Sequence, residues 1–407
     1  MNSSHRPQLF FRNPFATETQ DGSSKVDLPV PLLDVNRGNT AIRQEVLAAI
    51  TGVVDSGRFL HGPEVGELEC TMAGVSHTKH AISCASGSDA LLLALMAMEI
   101  GPGDEVILPS FTFFATASCV SRVGAKIVFV DIDPETYNVS PEAVRDAITS
   151  STKAIIPVHL FGQCAAMDEI CAIAESYKIP IIEDAAQAIG AAYQGRHAGA
   201  WGDVGCFSFY PTKNLGGMGD GGMLTCQDDA MAAKLRLYAS HGMQPRYHQR
   251  VIGINSRLDT IQAAILNVKM NHLNEYTHAR QANAARYDQW FVEAGLQERF
   301  VLPKTSPGAF HVWNQYGIRV PEGRRDALKA HLQERKIGAE IYYPIPLHMQ
   351  DCYRSLGYAQ GCLPETERAS SEILHLPIYP ELTIQEQQTV VGAIQSFYNT
   401  AAFRRVA

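Results

Sequence analysis

Between Thr78 and Cys226 short β-branched apolar runs alternate with Ala- and Leu-rich stretches. The runs predict strands over residues 80–84, 105–109, 126–131, 154–159, 179–183, 204–209 and 222–226. The stretches between them have helical spacing and predict helices over 89–98, 114–123, 141–149 and 167–177. Strands alternating with helices imply an α/β fold with a mostly parallel sheet covered on both faces. Ligands of such sheets sit beyond the carboxyl ends of the strands, so strand ends are where chemistry is expected.

From Ile254 to about Ala294 the pattern is strongly helical, with Ala263, Ala264, Leu266, Met270, Leu273 and Tyr276 recurring at near-helical spacing. After Pro303 it returns to short elements: a strand over 315–320, a helix over 324–336, a strand over 373–376 and a last helix over 384–398. This is expected to be a smaller α+β C-terminal domain. The boundaries expected are 29–270 for the large domain and 271–407 for the small one. Residues 1–28 are polar and are expected to form a disordered tail.

At 407 residues the chain exceeds the usual size of one hydrophobic core, in keeping with two domains. A formal charge of −8 argues against nucleic acid or an anionic membrane as partner, since both require a basic face. No run reaches the ~20 apolar residues of a membrane span, and no signal-peptide core is present. The nine cysteines form no C-x-x-C pair and no Cys/His cluster of zinc spacing. Several lie in apolar runs. Buried reduced thiols, a cytoplasmic location and no bound metal are therefore expected.

Three segments carry candidate chemistry. Ser86-Gly87-Ser88-Asp89 follows a strand and opens an apolar helix, whose free N–H groups and positive dipole end suit a phosphate. Its plainer reading is a helix N-cap. Glu183-Asp184 ends an apolar strand, and a carboxylate there needs a cationic partner. A protonated pyridine nitrogen would serve, with Asp184 the acid chosen. The plainer reading is a structural ion pair. Ser208-Phe209-Tyr210-Pro211-Thr212-Lys213 ends another strand, with glycines crowded behind it. A lysine on such a turn can bend over the sheet edge and form a Schiff base. Its plainer reading is a surface lysine.

The order of the three (phosphate cradle, strand-end aspartate, then a lysine) is that of fold-type I pyridoxal-phosphate enzymes. The chain resembles the DegT/StrS-type nucleotide-sugar aminotransferases over about residues 30–400. The resemblance is carried by Gly101–Pro109, Phe129-Val130-Asp131-Ile132-Asp133, Val158-His159-Leu160-Phe161-Gly162, Glu183-Asp184-Ala185-Ala186-Gln187 and Ser208–Asn214. It implies pyridoxal 5′-phosphate as cofactor, carried on Lys213, with Asp184 at the pyridine nitrogen and Gln187 beside the ring's 3′-oxygen. It further implies Phe113 stacked on the ring and the phosphate held by Gly87, Ser88 and Ser208. Asn255 would reach the phosphate from a neighbouring subunit, making the protein a homodimer with shared sites.

The resemblance also implies two half-reactions, from an amino-acid donor (glutamate) to a nucleotide-linked keto-sugar. Related sugar 3-dehydratases carry histidine where this chain has Lys213, so amino transfer is expected rather than deoxygenation. Tyr342-Tyr343-Pro344-Ile345-Pro346-Leu347-His348 and Arg257 resemble members acting on 3-keto sugars, such as UDP-2-acetamido-3-oxo-glucuronate or a dTDP-3-oxo-6-deoxyhexose. Arg257, Tyr343, His348 and Phe59 are the expected sugar contacts, with Gly62 beside them. The alternatives are a 4-keto nucleotide sugar as acceptor, a non-catalytic regulator that keeps the fold, and an amino-acid aminotransferase using Arg319 or Arg354 as carboxylate clamp.

Overall fold

The computed structural model describes residues 29–399. The expected tail, residues 1–28, lies outside the described residues.

The seven expected strands all form. Four make one ladder in the order His80–Cys84, Gly222–Cys226, Val204–Ser208, Ile182–Asp184. Three make another in the order Lys126–Val130, Glu105–Pro109, Thr152–Ile155. Parallel bridges from Ile155 to Ile181 and from Val158 to Asp184 join the two ladders edge to edge. Only Gly222–Cys226 runs against its neighbours; the remaining pairings are parallel. The mostly parallel α/β sheet is as expected.

Two strands are shorter than the sequence suggests, and proline is the reason. Pro157 offers no N–H, so the regular strand stops at Ile155 rather than running to residue 159. Pro180 likewise delays the next strand to Ile182.

Side-chain parity shows why the sheet is covered twice. Ile82, Cys206 and Leu224 point into a core with Leu91, Leu95, Val120 and Leu235. Their neighbours Ala81, Phe207 and Met223 point the other way, onto Leu68, Met72, Leu258 and Leu266. Each fully buried Leu or Phe here contributes about 1.5–3 kcal/mol of transfer free energy.

The strongly helical stretch forms two helices, Thr260–Met270 and Leu273–Glu293. Asn271 and His272 turn the chain between them, donating to the carbonyls of Val268 and Lys269. Beyond them a separate core gathers Tyr287, Phe291, Tyr316, Ile318, Leu328, Leu332, Leu374 and Phe397 around the antiparallel pair Tyr316–Arg319 and Ile373–Leu376. Val30 joins this core and bridges to Ile337, so the N-terminal segment packs against C-terminal elements. Among the described residues no helix is long and apolar enough to cross a membrane.

The thiols only partly follow expectation. All nine are free; Cys84, Cys119, Cys164, Cys206 and Cys226 are buried, but Cys70, Cys352 and Cys362 are exposed.

Candidate functional site

The helix Gly87–Ala97 begins directly after the strand His80–Cys84. Ser86 caps it, its hydroxyl accepting the Asp89 N–H at 3.1 Å. The first turn lies against the end of Val204–Ser208. A Cβ built on Gly87 would meet the Ser208 Cβ at 2.7 Å, and one on Gly222 would meet the Ser86 carbonyl carbon at 2.4 Å. Glycine at both places is what lets the helix N-terminus, exposed Ser88 and Ser208 converge on one spot.

The two acids at the end of Ile182–Asp184 point to opposite sides, as adjacent strand residues must. Glu183 is fully satisfied. It accepts N–H bonds from Gly199, Trp201 and Gly202 at 2.7–2.8 Å and pairs with His159 Nε2 at 2.8 Å. Asp184 is also buried, but has far less. Its Oδ2 accepts from Thr116 Oγ1 at 2.8 Å and its Oδ1 from the Ala186 N–H at 3.2 Å. Burial pushes its carboxyl above the usual aspartate range, with the Thr116 bond opposing. Asp184 makes no ion pair among the described residues, although the Lys213 and His159 charges act on it from further away and oppose the rise.

Lys213 sits on a turn its neighbours hold rigidly. Its N–H donates to the Tyr210 carbonyl at 2.8 Å, and the Gly217 N–H donates to the Phe209 carbonyl at 2.8 Å. Asn214 donates to the Val312 carbonyl and accepts from Asn314 Nδ2, while Lys269 Nζ donates to the Gly216 carbonyl. Burial lowers the Lys213 ammonium from its ordinary 10.5 to about 8, with the Asp184 charge opposing.

Gln187 and Tyr343 close the far side. Gln187 Oε1 accepts the Phe161 N–H at 2.7 Å and its Nε2 donates to the Tyr343 hydroxyl at 3.3 Å. Burial raises the Tyr343 phenol, and the Asp184 charge raises it further, so the two groups share one site. The Phe113 ring lies 6.2 Å from that of Tyr343 and is 58% exposed, an apolar face open beside Asp184 and Gln187.

Asn255, Arg257 and Phe59 are placed elsewhere. Among the described residues, no hydrogen bond or ring contact joins them to Lys213, Asp184 or Gln187. Asn255 is exposed, and Arg257 and Gly62 line a separate cleft of about 430 Å³. Ser256, between them, ties that loop to the phosphate-side helix: its hydroxyl donates to Asp89 Oδ2 at 2.7 Å and accepts the Ala85 N–H. The Phe59 carbonyl accepts the Thr260 N–H, placing Phe59 on the same loop cluster. His348 is fully buried, with Ser110 Oγ at 2.7 Å from Nδ1 and Glu367 at 3.3 Å from Nε2. That places it in the seam between the strand-end loop and the C-terminal segment, with a partner near each ring nitrogen. Of the two arginines considered as carboxylate clamps, Arg319 lies 3.6 Å from Glu372 in the small core's sheet, and Arg354 is exposed beside Asp351.

Sequence reasoning missed Thr116 and Glu183's role. Thr116 lies on the helix Phe114–Arg122, 68 residues before Asp184, with no motif to mark it.

A mostly parallel sheet with a helix N-terminus, buried Asp184 and Lys213 beyond its strand ends has the architecture of the fold-type I transferases. The chain belongs to the DegT/DnrJ/EryC1/StrS aminotransferase family, which it matches over residues 40–395. It is 49% identical over 369 residues to the "pleiotropic regulatory protein" of Geobacillus stearothermophilus, covering 91% of this chain and 98% of that one. It is 43% identical over 366 residues to the UDP-N-acetyl-3-dehydro-alpha-D-glucosamine 3-aminotransferase of Acidithiobacillus ferrooxidans, covering 90% and 97%. The crystal structure of S. venezuelae DesV in complex with a ketimine intermediate superposes with a TM-score of 0.88 at 40% identity, over 93% of this chain and all of that one. The protein is an aminotransferase, and the family depends on pyridoxal 5′-phosphate. The residues here fit that group: the N-terminus of Gly87–Ala97 beside Ser208 offers N–H groups to a phosphate, and Asp184, buried without an ion pair among the described residues, suits a pyridinium.

Proposed function

We propose that the chain moves an amino group from glutamate to a 3-keto sugar carried on a nucleoside diphosphate. The observation that carries the chemistry is the placement of Asp184 at the end of one strand and Lys213 on the turn beyond its parallel neighbour Val204–Ser208, near enough for each charge to act on the other. The sugar class is supported by likeness to the Acidithiobacillus enzyme named for a UDP-linked 3-dehydro sugar. When bound, pyridoxal phosphate supplies an electron sink that stabilises charge at the donor's Cα. Asp184 would hold the cofactor's pyridine nitrogen in its protonated form. Thr116 fixes the Asp184 carboxylate. Gly87, Ser88 and Ser208 would hold the cofactor's phosphate, and Phe113 and Gln187, the latter oriented by Phe161 and Tyr343, would hold its ring. Lys213 Nζ is the base that takes the proton from the donor's Cα and returns it at the second reacting carbon, a role that contributes about 10²–10⁴-fold.

Arg257 has no ion-pair partner among the described residues, which suits an anionic substrate group, a diphosphate or a uronate. Because Asn255, Arg257 and Phe59 stand apart from Lys213 within one chain, the proposed working unit is a homodimer in which they serve the other subunit's site. The proposed division places the cofactor in residues 29–270 and a smaller unit over 271–407.

The test is an acceptor panel offered to the amino form of the enzyme: UDP-2-acetamido-3-oxo-glucuronate, UDP-N-acetyl-3-dehydro-glucosamine, a dTDP-3-oxo-6-deoxyhexose, a 4-keto nucleotide sugar, a sugar 6-phosphate and ordinary keto-acids. Preferred turnover of a 3-keto nucleotide sugar supports the proposal. Turnover of keto-acids alone overturns it. Cofactor binding with no turnover of any acceptor favours the regulatory reading that the Geobacillus relative's name suggests.

A further inference from the structure

The seam that holds His348 carries more than a buried histidine. His348 sits on the short turn Leu347–Met349, Glu367 in the helix Pro364–Glu372 and Cys362 just before that helix. One ligand-capable atom from each (an imidazole nitrogen, a thiol sulfur and a carboxylate oxygen) lies within 4.8 Å of the other two. These are three donor types that zinc accepts together, and three protein ligands leave a fourth position for water. His348 Nε2 and Glu367 Oε1 are 3.3 Å apart. That is long for a charged hydrogen bond, but it matches the edge of a tetrahedron with metal–ligand bonds of about 2.0–2.1 Å.

The surroundings orient all three donors. Ser110 Oγ lies 2.7 Å from His348 Nδ1, so Nδ1–H can donate to it and leave the Nε2 lone pair facing Glu367. A fixed partner on the second ring nitrogen is the usual companion of a metal-binding histidine. The Gly361 N–H donates to both oxygens of Glu367 at 2.7 and 2.9 Å, fixing the carboxylate's direction. Asp131, at the end of the strand Lys126–Val130, accepts the N–H groups of Glu365 and Thr366 and pins the helix that carries Glu367. No zinc spacing is readable in the sequence, because the ligands stand 14 and 5 residues apart across a turn and a loop.

We propose that His348, Cys362 and Glu367 form a binding site for one zinc ion. The ion would link the C-terminal segment to Ser110, on the strand-end loop that leads to Phe113. Binding converts the Cys362 thiol to a thiolate and releases its proton to solvent.

The test uses the chelator-treated holoenzyme, titrated with zinc chloride alone and, separately, with cobalt(II). Wild type is expected to bind one zinc per chain, and cobalt to give a thiolate charge-transfer band. Cys362→Ser, at an exposed position that leaves the fold intact, should abolish the band and weaken zinc binding on the order of tenfold or more. Glu367→Gln should weaken binding while keeping the band. Cys70→Ser, at an exposed thiol elsewhere, should change neither. Absence of stoichiometric zinc binding by wild type, or binding and a cobalt band unchanged in Cys362→Ser, overturns the proposal.

Discussion

Thr116 Oγ1 donates to Asp184 Oδ2 at 2.8 Å, and this is the only side-chain hydrogen bond that the carboxylate has among the described residues. A hydroxyl bond to a charged group contributes about 1.5–3 kcal/mol. Thr116→Val removes it without changing volume. The Asp184 carboxyl should rise further and hold a pyridinium less well. Cofactor titration should show Kd raised by on the order of tenfold, with Thr116→Ser restoring it. Equal affinity in the valine variant would show that Thr116 is mere packing.

Glu183 and Asp184 should separate cleanly on substitution. Glu183 accepts three backbone N–H groups and pairs with His159, so Glu183→Gln should lower Tm while sparing turnover per folded molecule. Asp184 is held above its ordinary range by burial, so its charged form costs the apoprotein stability at neutral pH. Asp184→Asn should therefore leave the apoprotein at least as stable as wild type while turnover falls by at least about a hundredfold. Calorimetry and a turnover assay on both variants check this; the reverse pattern would exchange the two roles.

Gly87→Ala tests the phosphate cradle. Its methyl would meet Ser208 Cβ at 2.7 Å, so the helix N-terminus must move away. Cofactor affinity should fall by about tenfold, the scale of one weakened charged hydrogen bond. Gly52→Ala, with nothing within 4 Å, should leave affinity unchanged.

The Lys213 ammonium is lowered to about 8 by burial. Attack on the cofactor's aldehyde requires the neutral amine, so cofactor uptake by the apoprotein should accelerate with rising pH and level off above about 8. The same group links pH to stability. Between about 8 and 10.5 the unfolded lysine keeps its proton while the folded one has lost it, so apoprotein stability should rise with pH across that window. Stopped-flow uptake from pH 6 to 10 checks the first point, and a flat profile would contradict it.

The strands and their carboxyl ends were readable in the chain because period-two burial and Ala/Leu-rich helices leave strong local patterns. His80–Cys84, Glu105–Pro109 and Gly222–Cys226 have the expected bounds. Where the reading slipped, a local feature overrode the apolar run, as at Pro157 and Pro180. The chemistry at strand ends was visible for the same reason: Gly87, Asp184 and Lys213 stand where topology places ligands. Thr116 was not visible, since a threonine in a helix carries no signal until folding sets it against Asp184. His348 and Tyr343 entered together through one motif, yet Tyr343 reaches Gln187 while His348 turns into the seam.

The most direct test is to reduce the holoenzyme with borohydride, digest it and map the pyridoxyl adduct by mass spectrometry. The adduct should lie on Lys213, in stoichiometric yield, and Lys213→Ala should carry none and transfer no amino group. An adduct on another lysine, or a Lys213→Ala enzyme that still aminates a keto-sugar, would contradict the account.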